Sequence, residues 1–308
     1  MSERLCDSAR TLIRRLFFEH TELRSFSGLC LFALLVFPAL YGGDFMARHS
    51  LKVAGLATWF FVREIRILLT FFLATWIMAW IEGRSIADYG LPWRAMFGVR
   101  FWIGALLGFS SLTCLLMVMR LIGVFHLGAV ALRSTNAAKW ALIYVVVFFL
   151  VALTEEFSTR GYALYTLTRI TGFWPAAILT AFVFGYSHVG NSGEDWIGLV
   201  NVGLFGLLAC LLLRRTGDLW MPIGFHMAFD WGETFFYGVA NSGRTYPGQF
   251  MSSGPSGPPW LSGGSVGPEG SVLCTLLMLV TCILCGLCFS DVKYPRPDLG
   301  NKARLLTR

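Results

Sequence analysis

Seven ionisable side chains interrupt otherwise apolar stretches of this sequence. Glu155, Glu156 and Arg160 break the run that begins near Trp140, His188 ends the next run, and His226, Asp230 and Glu233 lie in a later one. A charge at the centre of a bilayer costs about 3 kcal/mol even on insertion scales, so residues of this kind need partners, a water-filled cavity or a function. Carboxylates and imidazoles gathered at one point can hold a water, take its proton and stabilise the charge that develops when it attacks.

Helical spacing separates the roles. Glu156 and Arg160 stand four apart with the acid first, the favourable order for an ion pair, and that pairing neutralises Glu156. Glu155 projects about 100° away around the helix and keeps no helical partner, which makes it the candidate general base. His226 and Asp230 are also four apart and share a face. With a turn at Thr171-Gly172, Glu155 and His188 each lie about 16 residues, or roughly 24 Å, from it, if the helix of the Trp140 run continues to that turn. A second hairpin, turning at Arg215–Asp218, puts His226 roughly 15 Å down its own helix. Each group alone also has a structural reading. A Glu–Arg pair can staple two helices, a His at a helix end can sit at the interface, and His226 with Asp230 can be a packing pair. Their common depth favours one intramembrane focus instead.

The elements that must carry this focus follow from composition. Of 308 residues, 56% are hydrophobic and 14% are charged, whereas a soluble domain carries roughly a quarter charged. That excludes a disordered chain, a nucleic-acid reader and an ordinary cytosolic enzyme, and it indicates an all-α, polytopic transmembrane bundle. The apolar runs predict about eight spans. They are Ser25–Gly43, Ile65–Ile81, Phe101–Phe125, Trp140–Leu153, Phe173–His188, Gly198–Leu213, Leu219–Tyr237 and Ser271–Ser290, with Val53–Val62 as a shorter interfacial stretch. In domain terms, 1–24 is a polar, partly amphipathic cytoplasmic lead-in, 25–80 holds accessory helices and 81–238 is the core. Residues 239–270 form a Gly/Pro/Ser-rich extracytoplasmic loop, 271–290 the last helix and 291–308 a basic cytoplasmic tail. Gly104 and Gly108 make a GxxxG, a cue for close helix packing.

Lysine and arginine placement sets the orientation. The N-terminal arginines, the Arg84–Arg100 segment, Arg214-Arg215 and the tail fall on one side, and the acidic Gly190–Asp195 loop on the other. Both termini are therefore expected in the cytoplasm, in a plasma (inner) membrane. Arg48, Lys52, Arg63, Arg133 and Lys139 fit this scheme less well. The net charge of +7 reads as cytoplasmic Lys and Arg, not as a nucleic-acid surface. Cys282, Cys285 and Cys288 are spaced like an iron–sulfur run but lie in continuous lipid-compatible helix, where Cys acts as a small hydrophobe.

Glu155-Glu156-x-x-x-Arg160, then Phe184-x-x-x-His188, then His226-x-x-x-Asp230, on successive runs, resembles the CPBP family. This family comprises the CAAX-processing and bacteriocin-processing intramembrane proteases, also called Abi. The stretch Arg215-Thr-Gly-Asp-Leu-Trp-Met-Pro-Ile-Gly-Phe-His226 is similar to the context of its third motif, and the resemblance covers about Ile81 to Gly238. It implies an endopeptidase, glutamate-type or metallo, that hydrolyses a peptide bond of a membrane-associated or lipidated protein or peptide. Carried over by residue, Glu155 would deprotonate the water, and His188 would help bind and orient it. His226 and Asp230 would stabilise the oxyanion, with Glu156 and Arg160 in support. The prenyl-protein-processing branch has Asn where this chain has Asp230. An ionised Asp cannot donate a hydrogen bond, so Asp230 must be protonated, orient His226 or ligate a metal. If a metal such as Zn2+ is present, Glu155, His188, His226 and Asp230 are its candidate ligands. The lack of a compact HExxH-like pair favours the metal-free form.

Two readings from other classes compete. A catalytically silent immunity or scaffold protein could keep the same fold, although the motif residues are intact. A proton-coupled transporter would also keep Glu, His and Arg within its spans, but here they form one focus and not a string along a path.

Overall fold

The apolar runs fold into helices wherever their backbone polar groups must be satisfied without water. The computed structural model describes residues 21–50 and 56–295. Residues 1–20 of the expected lead-in, the start of the Val53–Val62 stretch and the tail beyond residue 295 lie outside the described residues. The helices are α1 (Thr21–Ser50), α2 (Leu56–Glu82), α3 (Val99–Leu121), α4 (Ser134–Arg160), α5 (Tyr162–Thr171), α6 (Phe173–Tyr186), α7 (Trp196–Thr216), α8 (Trp220–Trp231) and α9 (Val272–Cys288). A π-helical turn, Gly232–Tyr237, extends α8. Two short strands, β1 (Phe125–His126) and β2 (Gly254–Pro255), pair antiparallel.

Among the described residues, five stretches are long and apolar enough to cross a membrane: Ser25–Gly42, Val62–Glu82, Val99–Leu121, Ser134–Thr171 and Trp196–Thr216. The remaining expected spans are helical but shorter. The 14 residues of α6 rise about 21 Å, against roughly 30 Å of hydrocarbon. The Val53–Val62 stretch does not stand apart: from Leu56 on, it is the first turns of α2. The third span ends at Leu121, and Phe125 belongs to β1. Large apolar side chains such as Leu34, Leu106, Leu142, Phe182 and Leu287 are exposed on the outer helix faces, as lipid contact requires.

α8 is the inner helix. Every residue from Trp220 to Phe229 is buried, and α3, α4 and α7 pack around it. Its apolar character on all sides is that of a helix enclosed by others. The GxxxG of α3 makes this possible. A Cβ added at Gly104 would lie 2.1 Å from the Met221 carbonyl oxygen, and one at Gly108 would lie 2.1 Å from that of Phe225. The backbones of α3 and α8 therefore touch, as small residues permit. The turn into α8 is pinned as well. Asp218, buried, pairs with Arg100 and accepts from the Trp220 amide, while Leu219 N donates to Gly90 O at 2.7 Å. The second hairpin thus turns where its spacing predicts.

The first hairpin needs one correction. The helix of the Trp140 run does not continue unbroken to Thr171: it stops at Arg160 and restarts at Tyr162. Gly161 adopts φ −75°, ψ −117°, and a Cβ there would sit 2.5 Å from the Phe157 carbonyl oxygen. A single glycine in an otherwise helical pattern is the cause. The turn at Thr171-Gly172 is retained.

Candidate active site

Four expected site residues line one cavity of about 820 Å³: Glu155, His188, His226 and Asp230. Glu155 comes from α4, His226 and Asp230 from α8, and His188 from the turn after α6. The cavity reaches between α1 and α6. There Phe37, Leu179 and Val183 are both cavity wall and exposed outer surface.

His226 is the hub. Its Nδ1 lies 3.1 Å from Glu156 Oε1, and a carboxylate can only accept, so Nδ1 carries a proton. Its Nε2 faces Asp230 Oδ2 at 3.5 Å and Glu155 Oε2 at 3.8 Å. Phe205 meets the imidazole edge-on, with ring centroids 4.8 Å apart. Glu156 turns the other way as well. Arg160 Nη1 donates to its Oε2 at 2.9 Å, with both side chains fully buried. The Arg160 guanidinium also lies over the Phe184 ring, 4.7 Å from its centroid, a favourable desolvated contact. The acid-first spacing therefore forms the expected ion pair. The second bond of Glu156, to a histidine 70 positions away, has no local signal in the sequence.

Glu155 is the more exposed of the two acids, with 31% of its side chain accessible, and it faces the cavity as the 100° offset predicts. His188 Nδ1 donates to the Phe184 carbonyl at 2.9 Å, which fixes the tautomer and makes Nε2 the acceptor. Among the described residues no hydrogen bond or ion pair joins His188 to Glu155 or His226; they share the cavity wall. Beside His188, in the loop to α7, burial raises the Glu194 carboxyl, and the neighbouring imidazole opposes that shift.

The site also draws on residues the motifs do not include. Glu64 of α2 is buried, lines the cavity and pairs with Arg63 at 2.6 Å. Its signal was available, since Arg63-Glu64 is a charge pair within an apolar stretch. The 238–270 segment contributes Asn241, Arg244 and Glu269 to the same wall. Glu269 lies beside Glu233 of the π-helical turn, and Ser242 N donates to it at 2.5 Å. Burial pushes the Glu269 carboxyl up to about 7. One oxygen of each acid, Glu233 Oε1 and Glu269 Oε2, lies buried without a donor, as expected of carboxyls that share a proton.

Among the described residues no three His, Cys, Asp or Glu side chains converge as ligands. The Nδ1 atoms of His188 and His226 are directed at Phe184 O and Glu156. The arrangement instead offers a cavity-facing carboxylate, an accepting imidazole nitrogen and a second imidazole clamped between acids. That is a set for activating water and stabilising an oxyanion.

Residues 137–232, from the first turn of α4 to the residue after α8, match the family model described as type II CAAX prenyl endopeptidase Rce1-like. No curated protein and no solved structure matches the chain.

Proposed function

Because residues 137–232 belong to the CPBP, or CAAX protease, family, we propose that the protein is an intramembrane endopeptidase. Its substrate class is a membrane-associated or lipidated protein or peptide, and its base is Glu155. The observation that carries the reading is the placement of His226 between Glu156, Asp230 and Glu155, with only Glu155 widely open to the cavity.

In the proposed reaction a water bound between Glu155 and His188 Nε2 gives a proton to Glu155 as its oxygen attacks the scissile carbonyl carbon. The carbonyl oxygen becomes an oxyanion, to which His226 donates through Nε2–H while Nδ1–H stays on Glu156. Asp230 orients that imidazole, since an ionised carboxylate has no hydrogen to donate. Collapse of the tetrahedral intermediate breaks the C–N bond, and the leaving amine takes the proton back from Glu155. Glu156 and Arg160 hold His226 in place. Residues 81–238 form the catalytic core in this reading, both termini face the cytoplasm, and the membrane is the plasma (inner) membrane.

The test is comparative peptidomics of native-host membranes carrying the wild-type chain or Glu155→Gln at equal expression. Peptides or trimmed termini that arise only with the wild type support the reading; identical profiles overturn it in favour of a silent scaffold.

A further inference from the structure

The cavity wall carries acceptors and donors, with Arg244, Tyr246 and Asn241 among the donors. Glu155, Asp230, Glu233 and Glu269 all line it, and an ionised carboxylate can stabilise no developing anion. Acyl transfer needs preorganised N–H or O–H groups aimed at the oxyanion. Asn241 is the buried uncharged amide that the 238–270 segment brings to this wall, 9% exposed. Its Nδ2 is buried and has no aligned hydrogen-bond partner among the described residues. The side chain lies against the Asp230 carboxyl, which selects the amide orientation that turns nitrogen, not oxygen, toward it.

The residue is also held rigidly. Asn241 N donates to Arg244 O at 2.9 Å, and Arg244 N returns a bond to Asn241 O at 3.0 Å. The next residue, Ser242, donates to Glu269. Asn201 of α7 then clamps Glu269 O and Ser271 O at 2.7 and 2.8 Å. The amide nitrogen carries two hydrogens, so turning one toward Asp230 leaves the other for an incoming acceptor. An oxyanion bound within reach of Nδ2 would be such an acceptor.

We propose that Asn241 is a catalytic residue whose Nδ2–H donates to the oxyanion of the tetrahedral intermediate, supplying from the loop the donor that Asp230 cannot be. The assignment rests on the proteolysis reading above. No covalent bond is made or broken at Asn241; it only donates a hydrogen bond to the negatively charged oxygen of the intermediate.

The experiment uses the full chain in detergent and the peptide whose cleavage in host membranes separates wild type from Glu155→Gln. Asn241→Ala is expected to lower kcat about a hundredfold with KM unchanged, the size and pattern of a lost oxyanion donor, at an unchanged unfolding midpoint. Adding Asp230→Asn, which places an amide at the neighbouring position, is expected to restore much of the loss. Adding Asp230→Leu, which removes the charge but offers no donor, is not. Wild-type kcat in Asn241→Ala, a rise in KM alone, or equal rescue by Asp230→Leu overturns the assignment and leaves Asn241 as a partner of the Asp230 charge. If no product distinguishes wild type from Glu155→Gln, the proteolysis reading itself falls and takes the assignment with it.

Discussion

Glu156 reaches His226 across the interface between α4 and α8, Oε1 to Nδ1 at 3.1 Å, while its other oxygen holds Arg160 at 2.9 Å. A single buried carboxylate thus ties three motif side chains from two helices into one network. Its neighbour Glu155 stays available to the cavity.

Glu155→Gln keeps the size of the side chain and removes its basicity. Cleavage is expected to disappear while expression, elution profile and unfolding midpoint remain those of the wild type. Product formation by Glu155→Gln, together with an inactive but well-folded Glu156→Gln, would reverse the two roles.

Glu156→Gln leaves a buried arginine without its counter-charge, a change worth about 3–5 kcal/mol when the partner is lost. A clearly lowered unfolding midpoint and poor expression are expected, with partial activity in whatever folds. Arg160→Met should show the same pattern, because it strands the acid instead. Thermal unfolding in detergent reads both.

Gly108→Val would drive a side chain into the Phe225 carbonyl, next to His226. Overpacking of this kind costs about 1–3 kcal/mol, and here it also displaces the helix that carries the hub. Both stability and turnover should fall, whereas Gly286→Ala on α9, where nothing lies within 4 Å of an added Cβ, should change neither.

Glu269 has its carboxyl raised by burial to about 7, so the folded protein binds a proton more tightly than the unfolded chain. Stability from this group is full below the ordinary carboxylate range, near pH 4.5, and is lost as pH rises through about 7. The unfolding midpoint should therefore decline between about pH 5 and pH 7, and Glu269→Gln should flatten that decline. A midpoint that rises across this interval in the wild type would contradict the shared-proton pair.

The bundle was legible because its signals are local. Apolar runs give helices, Thr171-Gly172 and Gly217-Asp218 end them, and four-residue spacing pairs Glu156 with Arg160. Counting spans was harder, since α6 and α8 are shorter than a bilayer and α8 is covered by other helices. The break at Gly161 was hidden because one glycine is compatible with helix until ψ is known. The contribution of 238–270 was hidden for a different reason. Its 20 Gly, Pro and Ser residues of the 34 from Tyr237 to Gly270 carry no periodicity, so the path that brings Asn241 and Glu269 to the cavity depends on distant contacts.

Phe37, Leu179 and Val183 belong at once to the cavity wall and to the exposed outer surface, so in the proposed membrane setting the cavity opens sideways toward acyl chains. For a substrate of the proposed class, arrival is then a search in two dimensions, and partitioning into the bilayer precedes any recognition by side chains. The quantity that governs saturation is molecules per unit area of leaflet, not moles per litre. Adding empty lipid at constant protein and substrate should dilute the reaction just as adding buffer dilutes a soluble one.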